Sequence, residues 1–184
     1  MNIHPTAVVH PKAVLADDVE VGAYSVVGEH VRIGAGTRVL SHVCIDGWTD
    51  IGERCELHPF VSVGGLSGIH QFVRIGAYAM VGGCCALGQD LPPFMRAAGG
   101  YRARMYGLNS IGLRRHGFSS ERIAALKKSY EVLFRSGHRV AEAVKLAREN
   151  FSASPDVMQV AAFMEGTKRG ICRSVGKDQE GEEE

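Results

Sequence analysis

An aliphatic residue recurs at every sixth position from the N-terminus: Ile3, Val9, Leu15, Val21, Val27, Ile33, and so on in frame through Val81 and Leu87. All fifteen positions of the frame are aliphatic, and the next residue is Gly in eight of them. The fifth position of each hexad is mostly small, as in Ala7, Ala13, Ser25, Thr37, Cys55, Ser67, Ala79 and Cys85. An amphipathic helix needs a period near 3.6 and a half-buried strand a period of 2, so neither accounts for the frame. A six-residue repeat is the mark of a parallel β-helix, in which each hexad supplies one short strand and one turn. Three hexads close a triangular coil of 18 residues. The aliphatic fills the axis, the small residue fits beside it, and Gly or another permissive residue takes the unusual dihedral at the turn. Fifteen hexads make about five coils, roughly 24 Å tall at the usual inter-strand spacing. The expected fold is therefore mainly β: a left-handed parallel β-helix of hexapeptide repeats followed by a small α-helical C-terminal domain.

Composition agrees with this plan and marks its boundaries. The 184 residues carry 21 Lys+Arg and 20 Asp+Glu, a balance that gives no reason to expect nucleic-acid binding. Charge is segregated, however. Residues 1–92 are net −4, residues 93–119 hold five arginines and no acid, residues 120–173 are net +4, and 174–184 are net −4. The expected units are the β-helix (1–92), a basic connector (93–119), a helical domain (120–173) and a disordered acidic tail (174–184). Ser119 and Ser120 are candidate N-caps for a helix over 120–136 that Gly137 stops. Two more helices are expected over 139–150 and from Pro155 to about Arg169. No run of 18 apolar residues could span a membrane, and the start of the chain has no signal-peptide pattern, so a cytoplasmic location is expected. The five cysteines have no CxxC spacing, which disfavours a disulfide framework or a zinc site; no metal is expected.

Several segments then carry a family likeness. Gly68-Ile69-His70-Gln71-Phe72, Ile75 through Cys84 with its Val-Gly-Gly-Cys end, and Gln89-Asp90-Leu91-Pro92-Pro93 form one block. Tyr106-Gly107-Leu108-Asn109 and Gly112-Leu113-Arg114-Arg115-His116-Gly117-Phe118 follow it, and His4-Pro5-Thr6-Ala7 and His58 through Gly65 precede it. In this order they resemble the acyl-carrier-protein-dependent UDP-N-acetylglucosamine O-acyltransferases of lipid A synthesis, over residues 1 to about 173. The resemblance implies a homotrimer with ligand sites between subunits. It implies transfer of a 3-hydroxyacyl group from the thioester of acyl carrier protein to the 3-hydroxyl of UDP-N-acetylglucosamine, with no cofactor. A neutral His acts as general base in that chemistry, and a backbone donor stabilises the oxyanion.

The resemblance also exposes a gap. Family members carry further coils between the two matched parts. These include an extruded loop and an Asn-Ala-His-x-x-His stretch whose second His is the base. Here Ser62-Val63-Gly64-Gly65 runs directly into Leu66-Ser67-Gly68-Ile69-His70, and the hexad frame is kept across the junction. The shortened prism is therefore expected to fold, without the usual base.

The resemblance assigns His70 and Gln71 to the active-site groove, and His70 is the candidate substitute base; a corner His can equally be a turn residue that hydrogen-bonds its neighbour. His58 occupies the same hexad position as His70. Gly83 corresponds to a position lining the acyl-chain groove, although it could equally serve the turn. Asn109 and Arg115 correspond to nucleotide contacts, with Ile111 standing where the family has an acidic residue. Arg102 and Arg104 are read as solvated or as contacts for the acidic carrier protein, which Lys127, Lys128, Arg135 and Arg139 could also steer. The alternative is an internally shortened, inactive family member that binds nucleotide or a partner and transfers nothing.

Overall fold

A computed structural model describes residues 1–174; the expected disordered tail lies, from residue 175 on, outside the described residues. Residues 1–87 form fifteen short strands on three faces of a prism. The first face holds β1 (Asn2–Ile3), β4 (Glu20–Val21), β7 (Arg38–Val39), β10 (Glu56–Leu57) and β13 (Arg74–Ile75). The second holds β2 (Val8–Val9), β5 (Val26–Val27), β8 (Cys44–Ile45), β11 (Ser62–Val63) and β14 (Met80–Val81). The third holds β3 (Val14–Leu15), β6 (Val31–Ile33), β9 (Thr49–Ile51), β12 (Ser67–Ile69) and β15 (Ala86–Leu87). Every pairing is parallel and steps by one coil, as in Glu20↔Arg38 and Val63↔Val81. The fold is the hexapeptide β-helix that the frame predicts, with five coils. No register shift marks the step from Gly65 to Leu66: Ser67, just past it, pairs with Thr49 one coil below.

The axis is aliphatic. Val27, Ile45, Leu57, Ile75 and Leu87 are buried to 1% exposure or less. Ile3, Val9 and Leu15 are more exposed because no coil lies beneath them. Small polar residues at the fifth position are buried but satisfied, as buried hydroxyls must be. Ser25 Oγ donates to Leu40 O (2.7 Å) and accepts from Val43 N (3.0 Å). Thr37 repeats this with Gly52 O (2.8 Å) and Cys55 N (3.1 Å), and Ser67 with Gly82 O (3.0 Å) and Cys85 N (3.3 Å). Each hydroxyl thus ties its own coil to the next.

The turns differ from expectation. The left-handed dihedral falls two residues after the frequent Gly, and large residues adopt it: Tyr24 (φ 58°), His42 (59°), Phe60 (62°), Tyr78 (58°) and Phe94 (69°). Glycine follows the aliphatic for a different reason, close approach of the neighbouring coil. A Cβ at Gly22 would lie 2.7 Å from Leu40 C, and one at Gly34 would lie 2.8 Å from Glu53 N. The cost of αL at the corner residues is offset by stacking, because the five rings form one ladder with centroids 4.9–5.9 Å apart.

Past Pro92-Pro93, β16 (Met95–Ala98) extends the second face in parallel beside β14, and β17 (Arg104–Leu108) returns antiparallel to it. This hairpin and a short helix, α1 (Ser110–Arg115), were not legible in the sequence. Helix α2 (Ser120–Tyr130) starts at Ser119, whose Oγ accepts from Arg122 N, and runs into a π-helical turn over Glu131–Arg135. Gly137 follows with φ 78°. Helix α3 (Val140–Asn150) and helix α4 (Pro155–Glu165) complete the domain, the latter capped by Ser154 and ending four residues short of Arg169. Arg122 joins α2 to α4 through two 2.8 Å bonds to the buried Asp156 carboxylate and lies over the Phe118 ring at 3.8 Å.

Helix α4 is clamped to the prism by Asp90. Its carboxylate, 1% exposed, accepts from Arg74 N (3.0 Å), Arg74 Nε (3.0 Å), Arg74 Nη2 (2.9 Å) and Thr167 Oγ1 (2.9 Å). Arg74 Nη2 also donates to Phe163 O (2.9 Å), and its guanidinium lies over the Phe163 ring at 4.3 Å. The Gln-Asp-x-Pro-Pro segment thus owes its Asp to docking of the C-terminal segment.

Candidate functional site

One groove of about 960 Å³ opens on the third face. Its floor is the outward side of β12 and β15, where Gly68 and Ala86 stand side by side in register. Asp50 and Glu53 form one edge, and Tyr101, Arg102, Arg104 and Arg173 form the other. His70 and Gln71 lie at the corner where β12 ends, and both line the groove.

His70 is exposed, and its Nδ1 lies 3.2 Å from the carbonyl oxygen of Gln71. A carbonyl only accepts, so Nδ1 is the donor in this contact, and in the neutral ring the acceptor is then Nε2. That is the tautomer a general base needs.

The other sequence-derived candidates lie elsewhere in the chain. Gly83 sits at the corner before β15, where a Cβ would lie 3.2 Å from Gly65 O; the left-handed dihedral there belongs to Cys84 (φ 57°). Asn109 is half-buried at the N-terminus of α1. Its Nδ2 donates to Tyr78 O (3.0 Å) and its Oδ1 accepts from Gly112 N (3.1 Å). Arg115 is exposed in the last turn of α1, and Ile111 is exposed in the first. His58, at the hexad position equivalent to His70, faces α4: its ring meets Phe163 edge-on at 6.2 Å and Nε2 lies 3.8 Å from Glu56. Burial there holds its pKa below the usual value against the raising effect of Glu56.

Sequence reasoning missed the arginine wall. It set Arg102 and Arg104 aside as solvated or carrier-facing, and Arg173 lies about seventy residues away from them. All three meet in the groove because the segment after α4 runs back along the prism. Cys172 N donates to Asp90 O (2.8 Å) and Met105 N to Arg173 O (2.8 Å). An arginine cluster free of carboxylates was the available signal, but its partner across the sequence was not. Cys172, also lining the groove, is buried, and burial pushes its thiol up to about 11. Among the described residues no three of His, Cys, Asp or Glu are grouped to hold a metal ion. No described helix is long and apolar enough to cross a membrane.

Comparison with known proteins follows the same division of the chain. Residues 90–172 match the second domain of the UDP-N-acetylglucosamine O-acyltransferase family. The chain is 47% identical over 87 residues to the acyl-[acyl-carrier-protein]–UDP-N-acetylglucosamine O-acyltransferase of Thermodesulfovibrio yellowstonii, covering 47% of this chain and 33% of that protein. It is 45% identical over 92 residues to the enzyme of the same name from Aeromonas salmonicida, covering 50% and 35%. The match thus spans about a third of the length of these curated relatives. Among solved structures, the UDP-N-acetylglucosamine acyltransferase from Campylobacter jejuni superposes with a TM-score of 0.68 at 25% identity, covering 95% of this chain and 100% of that one. LpxA from Acinetobacter baumannii superposes with a TM-score of 0.66 at 24% identity, covering 93% and 99%. In fold and over residues 90–172, then, the chain is similar to the UDP-N-acetylglucosamine O-acyltransferases.

Proposed function

We propose that the chain is an O-acyltransferase that moves a 3-hydroxyacyl group from acyl carrier protein to the 3-hydroxyl of UDP-N-acetylglucosamine, the entry reaction of lipid A synthesis, in the cytoplasm and without a cofactor. The observation that carries this reading is the third-face groove, which is lined by His70 and Gln71 together with Arg102, Arg104 and Arg173, on a chain whose residues 90–172 match the family's second domain.

His70 is the general base. Its Nε2 takes the proton of the sugar 3-hydroxyl as that oxygen attacks the thioester carbonyl. The C–S bond then breaks, and the thiolate leaves with the proton returned by the imidazolium. Gln71 fixes the imidazole through its carbonyl. Arg102, Arg104 and Arg173 suit the phosphates of the donor arm or the nucleotide, because guanidinium forks pair with phosphate oxygens. Gly83 leaves room for the acyl chain. Asn109, committed to Tyr78 and Gly112, holds α1 so that Arg115 can reach the nucleotide.

The site is completed in a homotrimer. Support comes from the exposed apolar strip along the second face and the corner beside it: Val8 (62% exposed), Val26 (43%), Trp48 (61%) and Leu66 (64%). The first face instead carries an ion-pair file of Glu20, Arg38 and Glu56.

The test is turnover with 3-hydroxyacyl carrier protein and UDP-N-acetylglucosamine, wild type against His70→Ala. Loss of about 10²-fold or more in the variant, with an acid limb in the wild-type pH–rate profile, is expected for a general base. Wild-type protein that binds the nucleotide and transfers nothing would instead support the inactive, binding-only reading.

A further inference from the structure

The outward side chains of the third face form a file in register from coil to coil: Arg32, Asp50, Gly68, Ala86. Tyr101, bridged to Ala86, ends it. The file therefore drops from two charged side chains to none, then to a methyl, then rises to an aromatic ring. It forms a notch about three strand spacings, or roughly 14 Å, from Asp50 to Tyr101.

Gly68 has no reason internal to the protein. Its φ is not left-handed, and a Cβ added to it would meet nothing within 4 Å. At Gly22 and Gly34 glycine instead makes room for the adjoining coil, whereas Gly88, just past β15 in the same groove, shares the open surroundings of Gly68. Glycine inside a strand weakens it, and its presence there commonly marks close approach by a ligand or another backbone. Strand β12 is paired on both sides, and Gly68 N donates to Cys85 O at 2.8 Å. The floor is thus a paired, side-chain-free surface suited to hydrocarbon. His70 stands at the corner where β12 ends and lines the same groove as Gly68. Gly68 is two residues from His70, roughly 7 Å along the strand.

We propose that Gly68 is a specificity-determining residue that sets the depth of this notch, so that the first carbons of an unbranched acyl chain lie directly on the β12 backbone. This rests on the acyltransferase reading. A chain whose thioester carbonyl is held at His70 and that runs back along β12 crosses Gly68 within its first carbons. A side chain at position 68 would lift it off the floor.

The experiment titrates wild type, Gly68→Ala and Gly68→Val with 3-hydroxyacyl phosphopantetheine and with unacylated phosphopantetheine, following melting temperature and sedimentation in parallel. Expected for Gly68→Val is at least about tenfold weaker binding of the acylated probe, the scale of a methylene misfit in an apolar pocket, with a smaller loss for Gly68→Ala. The unacylated probe should bind within about twofold of wild type. Melting temperature should not fall, because the added side chain meets nothing and β-branching suits a strand. Equal affinity of all three proteins for the acylated probe overturns the proposal and leaves the acyltransferase reading intact. A changed sedimentation coefficient in Gly68→Val overturns it in favour of subunit approach at this surface. Wild-type protein with no affinity for the acylated probe also overturns it; wild-type turnover with acyl carrier protein then shows whether the acyltransferase reading falls as well.

Discussion

Replacing Asp90 with Ala tests whether the helical domain is locked to the prism by one buried carboxylate. The substitution removes four hydrogen bonds at once, three from Arg74 and one from Thr167. Arg74 keeps its bond to Phe163 O and its ring contact, and its side chain is 26% exposed, so water can reach part of the guanidinium. The Arg74 backbone N–H and the Thr167 hydroxyl lose their acceptor outright. Breaking a buried ion pair from one side costs about 3–5 kcal/mol, and the partial exposure of Arg74 puts the expected loss near the lower end, about 3 kcal/mol. For a chain of this size that is a fall in melting temperature of roughly 6–12 °C, measured by calorimetry at fixed protein concentration. Asp90→Asn keeps the shape and part of the acceptor capacity, and should cost about 1–3 kcal/mol. The double replacement Arg74→Met with Asp90→Leu should cost less than Asp90→Ala, because neither partner is left charged and alone. An Asp90→Ala protein within about 0.5 kcal/mol of wild type would refute the lock, since that is the range of an ordinary surface change.

Two further outcomes follow from groups held away from their ordinary titration. Burial against α4 keeps the His58 imidazole below its usual 6.5, so just below that pH the unfolded chain binds more protons than the folded one. Stability should therefore rise with pH through that window and fall as pH drops below 6.5; His58→Gln should flatten this acid limb in urea titrations, and an unchanged slope would remove His58 as its source. Burial raises the pKa of the Cys55, Cys85 and Cys172 thiols, and native protein treated with iodoacetamide at pH 8 should leave all three unmodified by mass spectrometry. They should react on denaturation, and native labelling of Cys172 at the rate of exposed Cys84 would contradict the placement of the segment after α4.

The hexad frame made the β-helix legible because its cause is local. Each aliphatic must reach the same axis, so the period survives in the sequence, and even the shortened junction could be judged sound from the frame alone. The frame also placed His70 at a corner, and Ser119 was legible in the sequence as a cap of α2. Glycine takes the turn dihedral at Gly36 and Gly47, but at most corners a larger residue does, and along one corner that residue is stabilised by a ring one coil away. Tyr24, His42 and Phe60 lie 18 residues apart, and nothing local announces their stacking. Likewise His58 and His70 share a hexad position, yet one lies against α4 and the other lines the groove.

What the sequence determined by itself was the repeat, its inward and outward faces, the coil count and the segregation of charge, all properties of short-range order. Only the tertiary structure decided which arginines share the groove with His70, that Gly68 is free of any internal need to be glycine, and that Asp90 is the lock. These depend on contacts across large separations: 16 residues between Arg74 and Asp90, and 89 between Arg74 and Phe163. Such contacts are fixed by how the C-terminal segment folds back over the last coil, and a periodic pattern carries no record of that path.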